Sequence, residues 1–208
     1  MPGPSYRGAM TTITSIIVEV TDPASAESFY AAAFPLGDRL RVRAGDAPSQ
    51  GFRGFSLSLI VSQPANVTVV FDAAVAVGAE VIKPVTKTMW GTGATFRAPD
   101  GTIWKVATPA KKDTAPASSE IESIVLLLAA DDVSATKKFY VEKGLTIGKS
   151  FGKYVEFDLP GSPITLGLYS RKALAKDAGV DPEGSGSHRI LIGGGQAFTD
   201  PDGFVWVA

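Results

Sequence analysis

The sequence contains no cysteine. Disulfides, thiolate metal sites and thiol nucleophiles are therefore excluded. It has no run of basic residues either, and 20 Lys and Arg against 21 Asp and Glu leave a formal net charge of -1. Nothing in that balance draws the chain to nucleic acid or to an anionic lipid surface. No apolar stretch approaches the ~20 residues that a membrane helix requires. The opening MPGPSYRGAM lacks the apolar segment and cleavage site of a secretory leader, so a cytoplasmic protein with no membrane partner is expected. Its Gly, Pro and Ser content predicts a disordered extension over residues 1–11.

What is present is an ordinary globular composition. The 208 residues are 45% hydrophobic and 20% charged, enough for one large or two small domains with a real core. One phrase occurs twice: FRAPDGTIWKV over Phe96 to Val106 and FTDPDGFVWV over Phe198 to Val207. In both, Phe, Pro-Asp-Gly and Trp keep the same spacing. Pro presets φ at the first central position of a type I turn, Asp fits the second, and Gly takes the left-handed place that follows. Each phrase thus reads as a hairpin. Alternation on the outgoing strand of the first puts Thr102, Trp104 and Val106 on one face, and Ile103, Lys105 and Ala107 on the other.

The remaining elements recur in the same order. Thr12 to Val20 is β-branched, with Ser15, Ile17 and Glu19 on one face and Ile16, Val18 and Val20 on the other. Asp22-Pro23 then signals a helix start, and Ala26, Phe29, Tyr30 and Ala33 form its apolar stripe. Strands are expected over Arg39 to Arg43, Phe55 to Val61 and Glu80 to Thr88, and a helix over Ala65 to Val77 closed by Gly78. Ala44 to Gly51 reads as loop. Residues 109–119 form a Pro, Ala, Lys and Ser linker without an apolar period. After it the plan restarts: a strand over Ile121 to Ala129, a helix from Asp132 to about Glu142 carrying Phe139-Tyr140, and strands over Gly144 to Gly148, Lys153 to Leu159 and Ile164 to Tyr169. A short helix over Arg171 to Ala178 and a strand over His188 to Ile192 precede the second hairpin. Ile13 and Ile121 lie 108 residues apart, and Phe29 and Phe139 lie 110 apart. The chain therefore reads as a duplication, with halves at 12–108 and 120–208, rather than a short-period solenoid.

The two Pro-Asp-Gly-Trp phrases, the strand followed by a helix ending in Phe-Tyr, and the stretch from SLIVSQPANV through GAEVIKP and WG to APDGTIWKV resemble the vicinal oxygen chelate superfamily. That superfamily includes glyoxalase I, bleomycin-resistance proteins and extradiol dioxygenases. The resemblance implies an α+β fold of duplicated βαβββ modules whose curled mixed sheets surround a cleft. Each half departs from the full pattern. The first is short of strands between Arg43 and Gly54, and the second lacks a helix and strand between Ile192 and Phe198.

The resemblance also implies a divalent metal held by His and Glu. Carried over position by position, the His of the first strand falls on Ser15, and in the second half on Ser123 or Val125. The carboxylate after Pro-Asp-Gly falls on Lys105 and Val207. An ammonium and a valine cannot ligate a metal, and serine is not a usual ligand. Only His188 matches a ligand position, and its simpler reading is a histidine at a strand entry. The chain is accordingly expected to bind a small organic molecule without a working metal centre or other cofactor. Ser15, Glu19, Trp90, Lys105, Glu156 and His188 are the candidate ligand-binding residues, and no catalytic residue is named. Glu19 and Lys105 together could fix a polar ligand by charge, and Trp90 could stack on an aromatic one. The glycines at Gly91-Thr92-Gly93 and Gly193-Gly194-Gly195 are not phosphate loops, since no helix follows them. Two alternatives stay open: a divalent-metal-dependent lyase, isomerase or dioxygenase of the same superfamily, and a ligand-free scaffold that assembles as a homodimer.

Overall fold

The computed structural model describes residues 12–208; the extension expected over residues 1–11 lies outside the described residues. The chain opens with β1 (Ser15–Val20), α1 (Pro23–Ala33), β2 (Leu40–Ala44) and the short β3 (Ser49–Gly51). A complete strand–helix–three-strand unit follows: β4 (Phe55–Ile60), α2 (Pro64–Ala76), β5 (Glu80–Thr88), β6 (Gly91–Arg97) and β7 (Ile103–Thr108). A second complete unit comprises β8 (Ser123–Ala130), α3 (Val133–Glu142), β9 (Thr146–Phe151), β10 (Tyr154–Asp158) and β11 (Ile164–Ser170). The chain closes with α4 (Arg171–Ala178), β12 (Gly184–Gly186), β13 (Ile190–Gly193), β14 (Phe198–Thr199) and β15 (Val205–Val207).

The strands obey one pairing rule. The first strand of each unit lies parallel to its last: β1 beside β2, β4 beside β7, β8 beside β11, β13 beside β15. First strands then join antiparallel across the repeat, β4 to β8 and β1 to β13. The result is an eight-stranded sheet in the order β5-β6-β7-β4-β8-β11-β10-β9 and a five-stranded sheet in the order β14-β15-β13-β1-β2. The fold is thus α+β, with curled mixed sheets. The eight-stranded sheet is built from the two complete units. The five-stranded one collects the abbreviated ends, where β2 directly takes the last-strand place and no helix follows β13. The halves of the sequence consequently interleave. A ribbon of β3 with β12 ties the ends together.

Local chemistry explains the elements. Asp22 caps α1, its carboxylate accepting from the Ser25 amide at 3.1 Å, with Pro23 at the first helical position. Asp132 caps α3, accepting from the Ser134 and Ala135 amides. Both Pro-Asp-Gly phrases turn as expected: Gly101 and Gly203 have φ of 88° and 91°, and their amides donate to the carbonyls of Ala98 and Asp200. One apolar core is shared by both sheets. It joins Ile16 and Val18, Leu57 and Leu59, Leu126 and Leu128, and Ile190 and Ile192, with Trp104 and Trp206 wholly buried.

The helix-borne tyrosines lock the hairpins to this core. Tyr30 donates its hydroxyl to Asp100 at 2.6 Å and accepts from the Trp104 indole at 3.3 Å. Tyr140 repeats this with Asp200 at 2.7 Å and Trp206 at 3.1 Å. Burial, reinforced by the adjacent carboxylate, pushes both phenols well above their ordinary pKa.

The linker is irregular yet pinned. Gln63 accepts from the amides of Thr114 and Ala115, while its own amide donates to the carbonyls of Ala115 and Pro116. Asp113 accepts from the Ala65 amide at 2.7 Å, standing in for the side-chain cap that Gln63 does not give α2.

Candidate functional site

The face of the eight-stranded sheet turned away from the shared core carries the cleft. Cross-strand partners share a face, so the register sets one row across it: Thr95, Lys105, Ser58, Val125 and Thr165. The centre of this face is covered by α4. Its Leu174, Ala175 and Ala178 join a second apolar cluster with Phe52, Ile103, Leu127 and Ala129. Gly179 ends the helix in the left-handed conformation, φ 82°, and its amide donates to the Ala175 carbonyl.

Two lysines hold the end of α4 against the sheet. Lys83 of β5 donates its ammonium to the carbonyls of Lys176 at 3.0 Å and Asp177 at 2.6 Å, at the negative end of the helix dipole. Lys105 of β7 donates to both carboxylate oxygens of Asp177, at 2.8 and 2.9 Å. Between this latch and the β5–β6 hairpin lies a cavity of about 730 Å³, whose lining includes Gly93, Thr95, Ala107, Tyr169, Lys105 and Trp90. Trp90 stands at the hairpin with 81% of its surface exposed. Burial first, and then the Asp177 charge, raises the Tyr169 phenol.

On the far side of α4, the same sheet face carries Tyr154 beside Tyr169, ring centroids 4.8 Å apart. Tyr154 donates to Glu156 at 2.8 Å, and Lys149 pairs with the same carboxylate at 3.3 Å. Burial, followed by this hydrogen bond, raises the Tyr154 phenol. Gly167 leaves room for that ring: a Cβ there would lie 3.1 Å from Tyr154 Cε2 and 2.8 Å from Leu127 Cδ2.

The six residues singled out in the sequence are thus distributed over four places. Trp90 and Lys105 meet on one cavity. Glu156 lies on the same sheet face, beyond α4 and ion-paired. Ser15 and Glu19 belong to the five-stranded sheet, where Ser15 is buried and Glu19 accepts from Arg43 at 2.7 and 3.0 Å. Glu19 and Lys105 therefore cannot grip one ligand, because β1 pairs with β13 and not with the sheet that holds β7. His188 is not among the residues that line the cavity. Its Nδ1 lies 2.6 Å from the Arg53 carbonyl oxygen and its Nε2 2.9 Å from that of Asp202, with the ring stacked on Phe204 at 3.9 Å.

Sequence reasoning missed Asp177, Lys83 and Tyr169. Tyr169 was within reach, since Thr165, Gly167 and Tyr169 alternate with the core residues Ile164, Leu166 and Leu168. No local pattern pairs Asp177 with a lysine 72 residues away.

A divalent metal does not fit these side chains. The inward row offers an ammonium, hydroxyls and a valine, the Glu156 carboxylate is paired, and both His188 nitrogens are engaged by carbonyls. Among the described residues no group of three or more His, Asp or Glu side chains is placed to hold a metal ion. Nor, among them, is any helix long and apolar enough to cross a membrane.

The arrangement is a known one. A mutant of glyoxalase I from Zea mays superposes with a TM-score of 0.60 at 13% identity, over 94% of this chain and 91% of that one. Glyoxalase I from Zea mays itself gives 0.58 at 12% identity, over 90% and 75%. No protein-family model and no curated protein sequence matches the chain. At such identities the likeness is one of fold: the chain has a glyoxalase-like fold.

Proposed function

We propose that the protein binds a small, flat or amphipathic organic molecule in the cleft of the eight-stranded sheet, without a working metal centre. The observation that carries this reading is the cavity of about 730 Å³ beside α4, within the ~300–1,000 Å³ usual for small-molecule sites. Its walls are largely Gly, Ala, Thr and Pro backbone and methyl groups, with Trp90 at the rim, Tyr169 on the wall and charge concentrated at Lys83, Lys105 and Asp177. Such a lining suits a ligand with an apolar plane and one polar end. An enzyme in which a metal polarises two oxygens would need imidazole or carboxylate donors where Ser58, Lys105, Val125 and Thr165 stand.

Tryptophan emission tests the proposal directly. Trp104 and Trp206 are buried, so quenching by aromatic compounds should report on Trp90. Saturable quenching that disappears in Trp90→Phe, with binding retained by calorimetry, is the expected result. An absence of saturable binding across an aromatic panel would leave only the scaffold reading. Stoichiometric divalent metal in the purified protein, lost in His188→Ala, would overturn the metal-free part.

A further inference from the structure

The cleft contains an unequal set of charges. Lys83 and Lys105 both face it, and Asp177 is the one carboxylate among its lining residues. Lys83 is satisfied by two backbone carbonyls, which carry no compensating formal charge. Only Lys105 has an anionic partner, and that partner is not on the sheet. It comes from α4, the helix that closes the middle of the cleft. The carboxylate of Asp177 meets the Lys105 ammonium through both oxygens, in the manner a ligand carboxylate would adopt. Both side chains keep about a third of their surface open, 28% for Lys105 and 34% for Asp177, so the pair is reachable from the cavity.

We infer that the ligand class is an aromatic or similarly flat carboxylate, and that its carboxylate displaces Asp177 from Lys105 while its ring lies along the Tyr169 side of the cavity. This rests on the binding function proposed above. Asp177 then acts as a built-in competitor. Lys105 is neutralised when the cleft is empty of ligand, and an incoming anion takes over that ammonium while Lys83 keeps its hold on the carbonyls of α4. A cationic ligand would meet two ammonium groups and a carboxylate already in use. A neutral one would gain the walls but not the charge.

Three probes of one shape separate these cases: 2-naphthoate, 2-naphthamide and 2-naphthylmethylammonium, titrated by calorimetry at low salt into the intact protein. A charge-assisted hydrogen bond predicts naphthoate about tenfold or more tighter than the amide, with the ammonium weakest. Lys105→Met should remove the preference for the acid. Asp177→Asn should tighten naphthoate several-fold and leave the amide unchanged, because only the competitor is lost. Equal affinities for acid and amide in the unaltered protein would overturn the inference while leaving a cleft binder standing. Weaker naphthoate binding by a folded Asp177→Asn would overturn it too. Failure of all three probes to bind would remove the binding function itself, and this inference with it.

Discussion

Asp100 and Asp200 serve the same kind of Tyr–Trp pair from different places in their turns. Asp100 is the Asp of the first Pro-Asp-Gly, whereas Asp200 precedes the Pro of the second, and Asp202 is diverted to the Asp131 amide and the Thr136 hydroxyl. The geometry at the tyrosine is nevertheless kept. Tyr140→Phe strands the Trp206 indole and a carboxylate oxygen together, so a loss of about 1–3 kcal/mol is expected by urea unfolding. Asp200 adds a pH dependence. Burial raises its carboxyl above the ordinary 3.8, so the folded chain binds this proton more tightly than the unfolded one. The group's contribution to stability is complete below pH 3.8 and is lost as pH rises through the raised value. The stability difference between the unaltered protein and Asp200→Asn should therefore shrink as pH climbs through that window. A difference that stays flat there would refute the assignment.

Among the elements, α4 carries the most consequence. Its limits were legible from sequence, and so were the buried stripe of α1 and the cap of α3, because these depend on neighbours three or four residues away. Its position was not. An apolar face states that a helix is buried, and says nothing of which sheet covers it. The linker misled in the same way: its composition is that of a free tether, yet Gln63 and Asp113 fasten it to α2 through contacts about 50 residues apart. If an anion displaces Asp177, α4 loses one of its two lysine anchors. Hydrogen exchange at the amides of residues 175–180 should then quicken on saturation with 2-naphthoate and stay unchanged with 2-naphthamide.

At the scale of the molecule, the sequence revealed a duplication but not its exchange of partners. Alternation identified the inward faces of β1 and β7 correctly; that the two strands lie in different sheets depends on β1 meeting β13, across most of the chain. The candidate residues are scattered for the same reason: Trp90 and Lys105 share one cavity, while Ser15 and Glu19 lie in the other sheet and Glu156 and His188 apart from both pairs. Cutting the chain within residues 109–119 gives a sharp test. Each piece alone would expose β4 or β8 and β1 or β13 as open edges. The separate pieces are expected to aggregate on size exclusion, and co-refolding them should restore a species of the intact size.

The abbreviation of the five-stranded sheet also sets an arithmetic. A pair of matched sheets would give two equivalent receptacles per polypeptide, and occupancy of one could bias the other. Here the first unit lacks the central hairpin and the last lacks its helix, so among the described residues the walls exist once. Titration should therefore end at a single molar equivalent, along a simple hyperbola with a Hill slope of unity.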